Sequence, residues 1–340
     1  MSSDIILPEN KYFTETLGHN QAWSDHYGAL HVAAKYCNIN ESYNLFNGIW
    51  QHGCFGPWYQ EVPQLLVYNA PKSQKNSVFV ARKDEEELLK KNGFMRAKAI
   101  GLPFVYVDAV DVDKVTNSLL VVPTHTLSSS TPLIMTEEML EYVDYIHSIS
   151  NKFSKVIACI HPLCKENGLW IKQFKAHGIE CVTGAATNDK NALKRIKVLF
   201  SMFEYVTTNS WGSHVPYALS CGAKVSIIGN WLRIDKKKLL KDTGYGGNAN
   251  IVDIVTSNSF QKEKNKLLSH LFVSPECGIK DVEFGKWLIG DDNKLAPKEL
   301  IKAFKWSYKD RIFYRLNTQV RHKFLAIRSN ISKFFCNFFL

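Results

Sequence analysis

The chain has 340 residues, 45% of them hydrophobic and 22% charged, with a formal net charge of +10. That is the composition of an ordinary globular protein of about two domains, and it excludes a disordered chain, a fibrous repeat and a collagen-like sequence. The charge is uneven: residues 298–340 hold ten Lys/Arg against Glu299 and Asp310, a net +8, so the rest of the chain carries only +2. A broad nucleic-acid groove needs basic residues across the folded surface, so no nucleic-acid partner is expected.

The first residues, Met1 to Pro8, have neither the basic region nor the apolar stretch of a secretory signal. No apolar run reaches the roughly 18 residues that a bilayer-spanning helix needs. Eight cysteines, at 37, 54, 159, 164, 181, 221, 277 and 336, form no C-x-x-C pair and no zinc-finger spacing. They read as reduced thiols acting as small core hydrophobes, which places the chain in a reducing compartment and leaves the sequons at Asn40 and Asn330 without meaning.

In the first third, 45–50 reads as a strand ending at Gln51-His52-Gly53, 77–81 as a strand, 84–92 as a helix closed by Gly93, and 97–100 as a strand. The acidic stretch 108–113 marks a boundary, which divides an N-terminal α/β domain (1–115) from a second α/β domain (116–296) and a C-terminal tail (297–340). The second domain has a stronger rhythm. A buried strand at 118–123 runs into a polar loop from Thr124 to Ser130. Thr136 caps a helix to about Ser150, with Glu137 and Glu138 in the first turn, where the helix dipole favours acids. A strand at 155–160 ends at His161-Pro162, a helix at 166–177 stops at Gly178, and a strand follows at 179–182. Asp189 caps a helix through Phe203. A strand at 204–208, a short helix at 212–221 and a strand at 224–228 complete the series. Strands alternating with helices at this spacing predict a parallel, doubly wound sheet, with ligands in the crevice beside the strand ends.

The most informative segment is 207–217, Thr-Thr-Asn-Ser-Trp-Gly-Ser-His-Val-Pro-Tyr, which leaves a strand and opens a helix. Asn209, Ser210, Gly212 and Ser213 leave backbone N–H groups open to an anion, and Pro216 is tolerated in the first helical turn. His214 is a poor stabiliser there, because the helix dipole disfavours its protonated form unless an anion arrives; an ordinary helix cap is the alternative reading. His161 and Pro162 lie at the carboxyl end of a neighbouring strand, where an imidazole can donate to a phosphate; alone, a His-Pro pair reads as a structural histidine. His52 titrates in the range of a general base toward a hydroxyl, and Glu61 is a second candidate base; a histidine bonded in a tight Gly turn is the plainer reading of His52. His125 faces the crevice by position, and Gly184 and Asp189 join it as candidate cleft residues. There is no phosphate-binding loop of the G-x-x-x-x-G-K type and no G-x-G-x-x-G. Asp111 and Asp113 belong to the linker, so no metal and no cofactor are expected. The loop 244–247, Gly-Tyr-Gly-Gly, reads only as a mobile loop.

The tail interleaves its charges with Phe304, Trp306, Tyr308, Phe313, Tyr314, Phe324, Phe334, Phe335, Phe338 and Phe339. That is the pattern of an interfacial amphipathic helix on an anionic membrane, where each Lys or Arg contributes about 1 kcal/mol. A C-terminal helix packed across the domains is the alternative, and the two are compatible if 331–340 projects outward.

These motifs resemble the two-domain GT-B glycosyltransferases, and within them the bacterial surface-glycan transferases that use cytidine nucleotides: sialyltransferases, capsule Kdo transferases and the glycerophosphate polymerases of teichoic acid. The resemblance rests on His161-Pro162, the turn 209–214, His52-Gly53, the segment 203–218, and Leu288-Ile-Gly290, 296–300 and Trp306. It implies two Rossmann-like domains facing a central cleft, with a basic amphipathic helical tail. It implies transfer of a sugar from a nucleotide-activated, CMP-linked donor to a hydroxyl of a capsule- or lipopolysaccharide-type glycan or glycolipid. In those families the His-Pro motif and the Ser-bearing turn hold the nucleotide phosphate and a His-Gly supplies the base. The implied location is cytoplasmic, peripheral at the inner face of the membrane. Rival expectations are a CDP-polyol phosphotransferase, a nucleotide-sugar 2-epimerase and a non-catalytic glycan-assembly protein. The acidic pair followed by Gly that sialyltransferases use as base has no match in the first domain.

Overall fold

The computed structural model describes residues 23–39, 48–66, 74–125, 135–166, 168–187, 189–228, 236–241 and 249–307. Residues 126–130 of the loop expected at 124–130, the loop 244–247, both sequons and the tail 308–340 lie outside the described residues. All the described strands are parallel, in two sheets, as the alternation of strands and helices predicts. The first sheet has the order β1-β2-β3, with β1 Gly48–Trp50, β2 Ser77–Val80 and β3 Ala97–Ala99. The second contains β4 Val115–Val121, β5 Lys155–Ile160, β6 Glu180–Thr183, β7 Phe203–Thr208 and β8 Lys224–Ile227, in the order β6-β5-β4-β7-β8. The fold is mixed α/β and compatible with a Rossmann-like arrangement.

The helices are α1 Ala29–Tyr36, α2 Val62–Leu65, α3 Lys83–Lys91, α4 Glu137–Ile149, α5 Pro162–Glu166, α6 Ile171–Ala176, α7 Ala192–Met202, α8 His214–Ser220, α9 Lys236–Lys241, α10 Ala249–Thr256, α11 Asn258–Leu268, α12 Val282–Ile289 and α13 Pro297–Ala303. In the second sheet, side chains on both faces are buried, which is why its strands read as continuous apolar runs. Leu119, Val121, Ala158 and Ile160 pack with Met139, Tyr142, Val143 and Ile146 of α4 on one face. Leu120, Ile157, Cys159 and Val206 pack with α7 and α8 on the other. Thr136 caps α4 by accepting the Met139 N–H at 3.4 Å.

Two expected helices differ. The helix expected at 166–177 is shorter, α6 at Ile171–Ala176, because α5 already ends at Glu166 and Gly168 and Trp170 adopt φ of +68° and +69°, which a continuous helix excludes. Asp189 is not the cap of α7: Asn191 occupies that position, while the Asp189 carboxylate accepts the Asn191 N–H at 2.8 Å and pairs with Arg195 at 2.6 Å.

The inner face of the first sheet is closed by the far end of the chain. Trp50, fully buried, donates its indole N–H to the Gly101 carbonyl at 2.9 Å. Phe304 lies against Trp50, Phe79 and Trp306 with ring centroids 5.1, 5.2 and 4.8 Å apart. Phe304 and Trp306 are each 2% exposed. Both were expected among the aromatic residues of the tail; here they belong to the core, so the membrane expectation rests on 308–340 alone. The same core continues into the second sheet, where Phe104 stacks on Tyr217 at 4.0 Å. Gly290, at φ +72°, ends α12 so close to the first sheet that a Cβ there would lie 2.0 Å from the Ala81 carbonyl oxygen. The seven described cysteines are free thiols. Among the described residues, no helix is long and apolar enough to cross a membrane.

Trp306→Ala removes a buried indole from this shared core. It is expected to cost about 3–5 kcal/mol, a large share of a usual stability of roughly 5–15 kcal/mol, seen as a lower midpoint in urea unfolding. An unchanged midpoint would contradict the packing described.

Candidate functional site

In the second sheet the strand order reverses between β4 and β7: the chain leaves β4 for β5 on one side and returns to β7 on the other. Such a reversal leaves a crevice at the carboxyl ends of the strands. Its rim is tied by one residue. The Thr124 N–H donates to the Asn209 carboxamide oxygen at 2.8 Å, and the Thr124 carbonyl accepts the Trp170 indole N–H at 2.8 Å. With both peptide groups of Thr124 fixed, His125 is set face to face with His161, ring centroids 4.3 Å apart and planes 16° from parallel.

His161 follows β5 directly. Its Nδ1 accepts the Leu163 N–H at 3.2 Å, so the proton of the neutral ring sits on Nε2, which is left as a donor. Pro162 opens α5 as its first residue, where its missing N–H is harmless. Burial, with His125 alongside, pushes His161 down to about 3. Burial and His125 push His214 down to about 4, against the Ser210 carbonyl, which favours its charged form. His125, His161 and His214 thus form one electrostatic group at the ends of β4, β5 and β7. All three keep part of their surface open to solvent, whereas Thr207, Thr208 and Asn209 are buried. At neutral pH His161 and His214 are therefore uncharged, so they act through ring N–H groups rather than as fixed cations.

The turn after β7 is held from within. His214 Nε2 lies 2.9 Å from Thr208 Oγ1 and 3.2 Å from the Ser210 carbonyl, which can only accept, so Nε2 is the donor. A Cβ at Gly212 would sit 2.8 Å from the His214 ring, so glycine leaves room for the imidazole. His214 therefore braces the turn with the N–H that the sequence assigned to a ligand, whereas the His161 backbone contact is made through Nδ1 and leaves its N–H on Nε2. Ser210 donates its backbone N–H to Thr208 Oγ1 at 3.2 Å. Ser213 Oγ accepts the Cys54 N–H at 2.9 Å, which joins the loop after β1 to this turn.

That loop carries His52. Its ring packs on His26 at 4.7 Å and on Tyr27 at 5.9 Å, and its carbonyl accepts a long bond of 3.3 Å from the Tyr217 hydroxyl. Burial, then His26, pushes His52 down to about 3. A ring so weakly basic accepts a hydrogen bond better than it abstracts a proton. Residues 23–28 also reach the loop after β6: the Tyr27 N–H donates to the Thr187 carbonyl at 2.9 Å, and Gly28 lies directly against Lys190. This segment links His52 to the second sheet.

The remaining candidates are placed differently. Gly184 lies at the end of β6, its N–H donating to the Ile160 carbonyl at 2.8 Å, next to His161. Asp189 is buried and its carboxylate is occupied by Arg195, which also donates to the Gly184 carbonyl at 3.0 Å. Asp189 is thus a brace beneath the loop rather than a cleft group. Glu61 is exposed, just before α2. Among the described residues, no three or more His, Cys, Asp or Glu side chains are arranged to hold a metal ion. Sequence reasoning missed Trp170, His26 and Tyr27. A lone Trp two residues after Gly168 was the available signal for the first; nothing local signalled the other two. The sequence matches no protein-family model, and no curated protein matches it.

The three depressed imidazoles make stability depend on pH. The unfolded chain takes up protons near the ordinary value of 6.5, while folded His52 and His161 resist until about 3 and His214 until about 4. The unfolded state therefore binds more protons between those limits, and stability is full above about pH 6.5 and falls as the pH drops. At pH 5 each ring accounts for up to about 2 kcal/mol. Thermal unfolding of the wild type is expected to lose more stability between pH 7 and 5 than His161→Gln does; equal slopes would refute the neutral assignment of His161.

Proposed function

We propose that the chain is a glycosyltransferase of the GT-B type. It moves a sugar from a nucleotide-activated, CMP-linked donor to a hydroxyl of a capsule- or lipopolysaccharide-type glycan at the inner face of the membrane. The observation that carries this reading is the stacked His125–His161 pair at the strand-order reversal, with His161 Nε2–H directed away from its own backbone contact. Two parallel sheets, joined by the stretch 108–114 without helix or strand, support the two-domain arrangement.

In this reaction the bond from the anomeric carbon to the donor phosphate breaks through an oxocarbenium-like transition state. The acceptor oxygen bonds to that carbon and gives up its proton, and the phosphate leaves with added negative charge. An uncharged N–H donor binds that charge more tightly as it grows, and this differential is what accelerates the step. His161 is the proposed donor, with His125 stacked behind it and the hydroxyls of Ser210 and Ser213 at the same rim. Asn209 and His214 are positioning residues: one fixes Thr124, the other fixes the turn. His52 receives the hydrogen bond of the acceptor hydroxyl, and the phosphate of a bound donor raises its basicity for the proton transfer.

A charge-assisted hydrogen bond is worth about 1.5–3 kcal/mol. His161→Ala is therefore expected to lower turnover roughly 10- to 150-fold with the fold intact. Calorimetric titration of CMP, CDP and UDP tests the donor class, and product mass separates sugar transfer from transfer of a polyol phosphate, which adds phosphorus. Full turnover in His161→Ala, or no nucleotide binding at all, would overturn the proposal.

A further inference from the structure

At the opposite end of the second sheet, the amino-terminal ends of β4, β7 and β8 border a cavity of 310 Å³ lined by Lys114, Thr116, Glu204, Gly222, Lys224 and Lys280. Its charges are unbalanced. Both Glu204 oxygens are engaged: Oε1 takes Lys224 Nζ at 2.8 Å and Oε2 takes the Asn117 N–H at 2.6 Å. Lys114 Nζ donates to the Gly222 carbonyl at 3.1 Å. Among the described residues, neither Lys114 nor Lys280 has a carboxylate at salt-bridge distance, although the neighbouring Lys152 and Lys155 are paired with Glu276 and Glu180. Three ammonium groups against one carboxylate leave a net +2 around one opening. The lysines also repel one another: burial and the charge of Lys280 hold Lys114 below its ordinary value. An anion seated among them relieves both penalties.

We propose that this cavity is a binding site for a phosphate monoester. A dianion matches the net charge, three ammonium groups and the Thr116 hydroxyl supply donors to its oxygens, and a cavity of this size falls at the small end of small-molecule sites, at roughly 300–1,000 Å³. The site lies at the amino ends of the strands, whereas the histidine crevice lies at their carboxyl ends, so it is separate from the proposed donor site. The ester is carried either by a soluble phosphorylated metabolite or by a phosphatidic-acid headgroup. The competing account is structural: lysines here offset the carbonyls at the end of α8, which Lys114 touches through Gly222.

The test uses the full chain with two probes: inorganic phosphate by calorimetry, and phosphatidylcholine vesicles with and without phosphatidic acid by flotation. The proteins compared are the wild type, Lys114→Met/Lys280→Met and His161→Gln, each first checked for an unchanged melting temperature. A double variant that melts lower is replaced by Lys280→Met alone, since Lys280 lacks the bond to Gly222. Saturable binding that weakens at least about tenfold in the lysine variant and not in His161→Gln supports the site. If only the phosphatidic-acid vesicles show that dependence, the proposal stands with a lipid headgroup as the ligand. If both probes treat wild type and lysine variant alike, the proposal is overturned and the lysines serve only the end of α8. Loss in His161→Gln with no loss in the lysine variant would likewise overturn it and would leave the donor-site reading standing.

Discussion

A parallel sheet that reverses its strand order must leave two adjacent strand ends diverging, with backbone groups facing a gap instead of a neighbour. Unsatisfied buried peptide groups are costly, so something has to fill that role. Here a carboxamide and an indole do so, and both act on Thr124. The position of His125 follows from that double attachment, and the stack on His161 follows from the position of His125. The place of His125 in the crevice, and the stack it forms, descend from these two hydrogen bonds.

The electrostatics of the crevice have the same character. Burial disfavours the protonation of His161 and His214, and the neighbouring His125 adds to the effect. The result is that His161 and His214 meet a ligand as neutral rings. Neutral rings respond to charge that develops beside them more than to charge at a distance, which is what the proposed reaction would ask of a group that stabilises a leaving phosphate. The wall formed by His26, Tyr27 and His52 repeats the arrangement across the Ser213–Cys54 contact.

Much of the second sheet was legible in the sequence because its strands are buried on both faces: Lys155–Ile160 stands out as an unbroken apolar run between polar turns. The residues at the strand ends were legible too, since topology alone dictates where a parallel sheet presents its loops. Which atom faces a ligand was not. His214 reads as a ligand group by position, yet its N–H is used within its own turn, a matter of side-chain torsion that no spacing encodes. Trp170 was hidden because a residue at positive φ between two short helices breaks the periodicity that would have announced it. Phe304 and Trp306 were misread for a different reason. Aromatic residues among lysines suit a membrane surface and a packed helix equally well, and only the partner surface decides; here that surface is Trp50 and Phe79, more than 200 residues away in sequence.

That last arrangement bears on the order in which the protein is made. The first sheet leaves the ribosome more than 200 residues before the aromatic side chains that cover its inner face. Until then Trp50 and Phe79 lack part of their cover, and contacts this distant along the chain are the slow ones to form. During that interval the inner face of the first sheet keeps apolar surface exposed, the condition under which partly made chains aggregate.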